Sequence, residues 1–379
     1  MKYLVLGAGK QGSACALDLL EQSSTTSVVL ADRDVGHAAA FLKGKPNLAL
    51  TVADFADRAQ LAAPMRGVGS VLSAAPYYFN FELARLAVEA GAHFADLGGN
   101  TEIVFKQKEL HEHAVRRGVS VIPDSGLAPG MINILAAEGI ARLDLVESVK
   151  IYVGGLPQHP EPPLNYMVVY SLEGALDYYT TPSWVLRGGK RVPVEPLSEV
   201  ETIQFPELGA LEAFHTAGGI STMPFHYEGK IPMMEYKTLR YPGHVAIMRP
   251  IRELGLLSTA PVEVKGHQIA PRDAFIAAVS PLLTKPNGHD LVALRVDVTG
   301  TIGGRRTGTR WQLLDKFDER KGVSAMMRTT GYSLSITGMM QADGRITKKG
   351  VYVPDEAVPC KPYVDELARR GIAIEETTL

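Results

Sequence analysis

Through the first third of the chain, short uninterrupted apolar runs alternate with amphipathic stretches. Residues 3–6, 27–31, 48–52, 70–73, 93–96 and 120–122 each have the length and β-branched content of a buried strand. Helical spacing fills most of the gaps, notably 13–20, 81–90 and 101–117. This alternation is the pattern of an α/β, Rossmann-type doubly wound parallel sheet. A helix over 131–141 leads into a strand at 148–154, and the pattern then changes. The Pro-rich stretch 156–164 reads as an extended connection. Residues 184–194 turn around Gly188 and Gly189. Val292, Leu294, Val296 and Val298 alternate toward one face before Gly303 and Gly304, and 311–317 returns as the partner strand. These are hairpin signals. They predict a second, α+β domain built on a largely antiparallel sheet. A long apolar helix over 323–341 opens the tail. The expected division is therefore 1–124, a dinucleotide-binding domain; 125–322, a substrate and dimerisation domain; and 323–379, a segment packing back on the first domain.

The turn after the first strand carries Gly7, Gly9, Lys10, Gln11 and Gly12 and opens directly into a helix. Gly7 permits the tight turn, Gly9 lets the backbone approach a pyrophosphate, and Gly12 allows helix and strand to pack closely. Phosphate charge then meets unpaired amides at the helix N-terminus. Asp32 closes the second strand about 20 residues on, where an acid accepts hydrogen bonds from the adenosine ribose. A carboxylate there repels a 2′-phosphate, so NAD is favoured over NADP. The adjoining Arg33 leaves the phosphorylated form open, because a guanidinium stacks on adenine or tolerates that phosphate.

Composition removes several function classes. The 379 residues exceed one ordinary core and are 46% hydrophobic, so two domains are expected. Lys and Arg number 39 against 41 acids, which gives no basic excess for nucleic acid or an anionic membrane. Cys15 and Cys360 are too few for a disulfide framework, and the first residues enter a strand instead of a secretion signal. A cytoplasmic setting follows as an expectation. His111 and His113 stand two apart on a predicted helix and point to different faces, with no cysteine pair beside them; a metal site is not expected.

In an open parallel sheet, ligands lie beyond the carboxyl ends of the strands. The loop holding Ala75, Pro76 and Tyr77 follows the fourth strand and is positioned to cover the nicotinamide ribose. Asp96, Gly98 and Gly99 follow the fifth, and Asp124 follows the sixth at the passage between domains. Aromatic packing for Tyr77, and helix capping for Asp96 and Asp124, remain alternative roles. In the second domain, 212–222 and 236–244 set polar groups beside glycines. Along 236–241, Tyr236, Thr238 and Arg240 face one way, and Lys237, Leu239 and Tyr241 the other. Arg240 is suited to hold a substrate carboxylate bidentately, with a structural ion pair as the alternative. His215 and His244 are candidates for proton transfer or for structural roles.

The stretches 96–99, 126–135, 171–174, 213–216, 238–244 and 346–351 resemble the saccharopine dehydrogenase-like family, and within it the lysine 6-dehydrogenase branch. The Gly-Leu-Ala-Pro-Gly loop and the Thr-Leu-Arg-Tyr strand carry the wider resemblance. The His-Thr and Pro-Gly-His stretches carry the narrower one. The resemblance implies NAD-dependent oxidation of the ε-amine of L-lysine to the 6-semialdehyde, which cyclises to piperideine-6-carboxylate, with release of NADH and ammonia. It implies Arg240 on the α-carboxylate, with Thr216, Tyr241 and His244 lining the substrate, and His215 or Asp124 serving the amine. Two alternatives stand beside it: a saccharopine-type or carboxynorspermidine-type secondary-amine dehydrogenase, and a non-catalytic NAD-binding protein. Exposed hairpin edges make a homodimer the expected assembly.

Overall fold

The computed structural model describes residues 1–379. The first sheet is assembled from β1 (Lys2–Leu6), β2 (Ser27–Asp32), β3 (Leu48–Val52), β4 (Ser70–Ser73), β5 (His93–Asp96) and β6 (Ser120–Ile122). Helices α1 (Lys10–Leu20), α2 (Arg58–Ala62), α3 (Asn80–Ala90), α4 (Thr101–Lys108) and α5 (His111–Arg117) connect them. The single helix expected over 101–117 is therefore two. The chain is redirected where Gln107 turns inward to donate to the buried carboxylate of Asp96 at 2.7 Å and Leu110 enters the core.

After α6 (Met131–Ala141) comes the long strand β7 (Leu145–Pro157), then α7 (Leu172–Tyr178), β8 (Ser183–Arg187), β9 (Lys190–Val194), β10 (Glu201–Phe205) and β11 (Gly209–His215). The short helix α8 (Met223–His226), β12 (Met233–Arg240) and α9 (His244–Glu253) follow. A small hairpin of β13 (Val262–Val264) and β14 (His267–Ile269), and then α10 (Pro271–Leu283), precede β15 (Asp290–Ile302) and β16 (Arg305–Lys316). The second sheet is mixed: most pairs are antiparallel, but β12 runs parallel to β7. Its inner face, with Val292, Leu294, Val296 and Val298, shares one core with α6 and α11 (Ala325–Ala342). On its outer face β10 folds across the sheet, so that Arg295 donates to the Gln204 carbonyl at 2.7 Å and Lys237 to Glu201 at 2.8 Å.

The tail contributes to both sheets. Strand β17 (Gly350–Val351) adds to the first sheet, giving the order β17-β6-β5-β4-β1-β2-β3. After α12 (Pro354–Ala357) and α13 (Cys360–Arg369), β18 (Glu375–Thr378) pairs with β16 in the second. Between them α11, capped by the Ser324 side chain, lies against α1, β4, β5 and β15. Gly331 makes the α1 approach possible, since a Cβ there would stand 2.8 Å from that of Ala14. No helix is long and apolar enough to cross a membrane.

Candidate active site

At the end of β1 the chain must turn tightly enough for α1 to begin beside it. A Cβ on Gly12 would lie 1.8 Å from the Gly7 carbonyl oxygen, so only glycine fits, whereas the space over Gly9 is open. Gly9 caps α1 without a side-chain bond, and the first turn holds no acid, so the amides at this helix start are free for an anion. Asp32 accepts from the Ala8 amide at 2.6 Å and from the Asp34 amide at 3.1 Å, which ties the glycine turn to the end of β2. Lys10 and Arg33 are exposed at the rim. The side-chain oxygen of Gln11 is buried without a partner. Ala75, Pro76 and Tyr77 form the turn after β4, immediately beyond the Ala74 carbonyl that packs on Gly7. These residues fit a dinucleotide: free amides, open space above glycine and an acid at the ribose position.

Asp96 has no exposed surface. Its carboxylate takes bonds from Gln107 and from the Gly98 amide, both at 2.7 Å, and its carbonyl accepts the Ser125 amide at 2.6 Å. Burial pushes its pKa up to about 6 against the pull of those bonds. Asp96 therefore staples the Gly98–Gly99 turn to the loop carrying Asp124. Gly98 and Gly99 both have positive φ. A Cβ on Gly98 would lie 1.8 Å from the Asp124 carboxyl, and one on Gly99 would reach Tyr77 and the Tyr178 hydroxyl.

Asp124 is buried without the partners that Asp96 has. Its backbone is left-handed (φ 60°), it is 1% exposed, and neither carboxyl oxygen has a hydrogen-bond partner. Burial raises its pKa to about 7. The nearby Ser221 hydroxyl pulls the other way, and the charges of Asp96 and Asp355 add to the rise. A strained, buried carboxyl that titrates near neutrality is a candidate acid–base group.

A second group of buried polar residues comes from β12. Arg240 is 3% exposed and forms no ion pair. Its Nη1 donates to the Leu239 carbonyl at 2.8 Å, its guanidinium stands 4.8 Å from the centre of the Tyr166 ring, and its Nε has no partner. Since a guanidinium does not give up its proton, this is a buried cation lacking an anion. Tyr166, Tyr170, Tyr178 and Tyr236 are packed around it or between it and Asp124, and burial raises the pKa of each phenol, to about 12 for Tyr166 and Tyr178. Thr216 and Thr238 join this group, hydroxyl to hydroxyl at 2.7 Å.

The structure places His215 and Tyr241 on the outer face of the sheet and His244 behind the tyrosines. His215 pairs with Lys237 across β11 and β12, which puts it on the outer face, opposite Arg240. There its Nδ1 is 3.1 Å from the Tyr236 carbonyl and its Nε2 3.1 Å from Glu199; desolvation lowers its pKa although Glu199 opposes the shift. Glu199, His215 and Glu235 converge closely enough to suggest a metal, but the Arg187 guanidinium, 3.0 Å from Glu199 and 2.7 Å from Glu235, already supplies their cation. Tyr241 also faces outward and donates to the Pro157 carbonyl at 2.9 Å. His244, at the start of α9, stands 3.0 Å from the Tyr179 hydroxyl and 3.2 Å from the Leu164 carbonyl. Burial, reinforced by the Arg240 charge, lowers its pKa to about 3. It supports Tyr179 from behind.

No motif marks Tyr166, Tyr170, Tyr178 and Tyr179, although these four of the chain's 14 tyrosines fall between 166 and 179. Asn133 is likewise not among the expected site residues. The Asn133 side-chain oxygen accepts the Gly130 amide at 2.7 Å, while its amide nitrogen donates to the Ile220 carbonyl at 3.3 Å. One residue thus joins the loop after Asp124 to the loop before Ser221.

Two family models together match nearly the whole chain. Residues 3–122 match the family described as "Saccharopine dehydrogenase NADP binding domain", and residues 126–372 match "Saccharopine dehydrogenase C-terminal domain". The chain is 23% identical to "Saccharopine dehydrogenase [NADP(+), L-glutamate-forming]" of Schizosaccharomyces pombe over 98% of both chains. It is 28% identical to the mitochondrial alpha-aminoadipic semialdehyde synthase of Mus musculus, over 98% of this chain and 47% of that protein. The solved apo saccharopine dehydrogenase (L-Glu forming) of Saccharomyces cerevisiae superposes with a TM-score of 0.82 at 20% identity, covering 100% of this chain and 99% of that one, which shows a shared fold.

Proposed function

Because the chain belongs to the saccharopine dehydrogenase family, whose members are nicotinamide-dinucleotide-dependent oxidoreductases acting on amines, we propose that it oxidises the ε-amine of L-lysine with NAD⁺. The observation that carries this reading is a pair of unmatched buried groups linked through the buried phenols of Tyr170 and Tyr178: Arg240, a cation with no acid, and Asp124, a carboxyl whose oxygens have no hydrogen-bond partner. A substrate with a carboxylate at one end and an amine at the other satisfies both.

Arg240 holds the α-carboxylate, and the tyrosines around it exclude water and line the aliphatic stem. Asp124, as carboxylate, takes a proton from the ε-ammonium, because only the neutral amine has the lone pair that becomes the imine π bond. The bound nicotinamide supplies the acceptor for the hydride from Cε. Asp124 passes that proton to solvent; as carboxylate again it draws a proton from the water that adds to the iminium carbon, returns it to the nitrogen, and takes the hydroxyl proton as the aldehyde forms and ammonia departs. The aldehyde left behind cyclises with the α-amine.

Asp32 supports NAD as the partner, since its carboxylate at the ribose end of β2 opposes a 2′-phosphate. Free Cys15 and Cys360 suit a reducing, cytoplasmic setting. The exposed apolar side chains Val262, Val264 and Ile269 on the β13–β14 hairpin suit a homodimer, which sedimentation would test. A second reading, a secondary-amine substrate such as saccharopine, is favoured by the name of the fission-yeast relative. Assays of NADH and NADPH formation with L-lysine and with saccharopine separate the two. NADH and ammonia from lysine support the first; turnover of saccharopine alone replaces it with the second, and no turnover of either leaves a dinucleotide-binding protein.

A further inference from the structure

Asp124 is one of a facing pair of strained residues. Across the domain boundary Ser221 also has a left-handed backbone, at φ 44°, a conformation that is unfavourable for a non-glycine residue. Its loop is held from three sides. Gly219 packs under the Tyr236 ring and Gly218 against Tyr178, Asn133 grips the Ile220 carbonyl, and Met223 begins α8 directly afterwards. The same Asn133 grips the Asp124 loop through Gly130. The strain is thus imposed by anchors on both neighbours, and its effect is to aim the Ser221 hydroxyl at the boundary. There it meets two groups of the first domain: the Thr101 hydroxyl, at 3.3 Å, and the Asp124 carboxyl. Neither Asp124 oxygen has a partner of hydrogen-bond geometry, and the Ser221 and Thr101 hydroxyls share a contact in which either can donate.

We infer that Ser221 is a positioning residue for Asp124, a two-way hydroxyl that rests on Thr101 and turns to the carboxylate when Asp124 gives up its proton. This rests on the assignment of Asp124 as the base. In the turned state the hydroxyl stabilises the carboxylate form; resting on Thr101, it leaves Asp124 free to hold a proton. Contact between the two domains at Thr101 thereby sets how strongly the base binds its proton. The other charged or titratable groups around this carboxyl are Asp96 at the end of β5, Lys108 on α4, Tyr178 on α7 and Asp355 on α12. None of them lies on the Ser221 loop, so their fields remain when Ser221 is changed.

Two substitutions predict shifts of opposite sign. Ser221→Gly removes the hydroxyl and suits the positive φ, so the fold is retained. Without the hydroxyl the carboxylate form loses support, and the Asp124 midpoint rises by about half a pH unit or more. Thr101→Val removes the competing acceptor while Asn100 still caps α4, so the Ser221 hydroxyl is left for Asp124 and the midpoint falls. The readout is the infrared carboxyl band of the full-length protein, titrated for each variant with and without Asp124→Asn. A rise in the first variant and a fall in the second are expected. Two unmoved midpoints, or two shifts of the same sign, overturn the role of Ser221 and leave Asp124 as the base. If Asp124→Asn removes no band titrating between about pH 5 and 9, the base assignment fails and this inference fails with it.

Discussion

The two faces of β11 and β12 carry similar numbers of polar side chains and treat them in opposite ways. Outward, Arg187 meets Glu199 and Glu235, Lys237 meets Glu201, and His215 is bonded at both ring nitrogens. Inward, Arg240 meets aromatic rings and one carbonyl, and the Asp124 carboxyl of the first domain has no ion pair and only the Ser221 hydroxyl beside it. Burying a charge without a partner is unfavourable by several kcal/mol, so a fold keeps such a group only where a ligand completes it. A satisfied charge cluster is architecture.

The largest effect that would break this contrast is on Asp124. Asp124→Asn should lower kcat by about 10²–10⁴-fold while leaving dinucleotide binding unchanged, measured by single-turnover rates and cofactor titration. The same group carries a pH signature. Its folded pKa, about 7, lies above that of an unfolded aspartate, so between about pH 4 and 7 the folded state keeps a proton that the unfolded state has lost. Stability from this group therefore falls as pH rises through that window. Asp124→Asn should flatten that slope in denaturant titrations, and wild-type kcat/KM should rise with pH through about 7.

Next is Arg240. Arg240→Met should raise KM for the amino acid by about 10–100-fold. It should also leave the melting temperature unchanged or raise it, because the variant removes an uncompensated buried charge. Arg187→Met should do the reverse, lowering stability by about 1–3 kcal/mol in urea titrations with kcat/KM intact, since it leaves buried Glu235 with only the more distant Lys150 cation, at 3.8 Å. The smallest expected effect belongs to His215→Gln, which should leave the pH profile of kcat/KM in place; a displaced profile would return the outer face to the chemistry.

Much of the fold was legible because it is written locally. The apolar runs of β1 to β6, the glycine turn and Asp32 need only near neighbours in sequence, and all emerge as expected. Alternation along β12 also separated Arg240 from Lys237 and Tyr241 correctly, and Tyr241 was placed in the site against its own parity. The face of His215 is different, because it depends on which β12 residue it pairs with, and pairing register is a long-range property. The tyrosine wall was missed for a related reason: Tyr166 and Tyr170 lie outside any strand or helix, so no period marks them. The parallel β7–β12 pair escaped notice because α7 and β8 to β11 intervene between its strands.

A crystal structure of the protein with NADH and L-lysine tests the central claim most directly. The account predicts the lysine carboxylate on the Arg240 guanidinium and the ε-nitrogen within hydrogen-bonding distance of Asp124, with His215 still bonded to Glu199 on the far face. Lysine bound with its carboxylate elsewhere, or with Arg240 still covered only by the tyrosines, would contradict it.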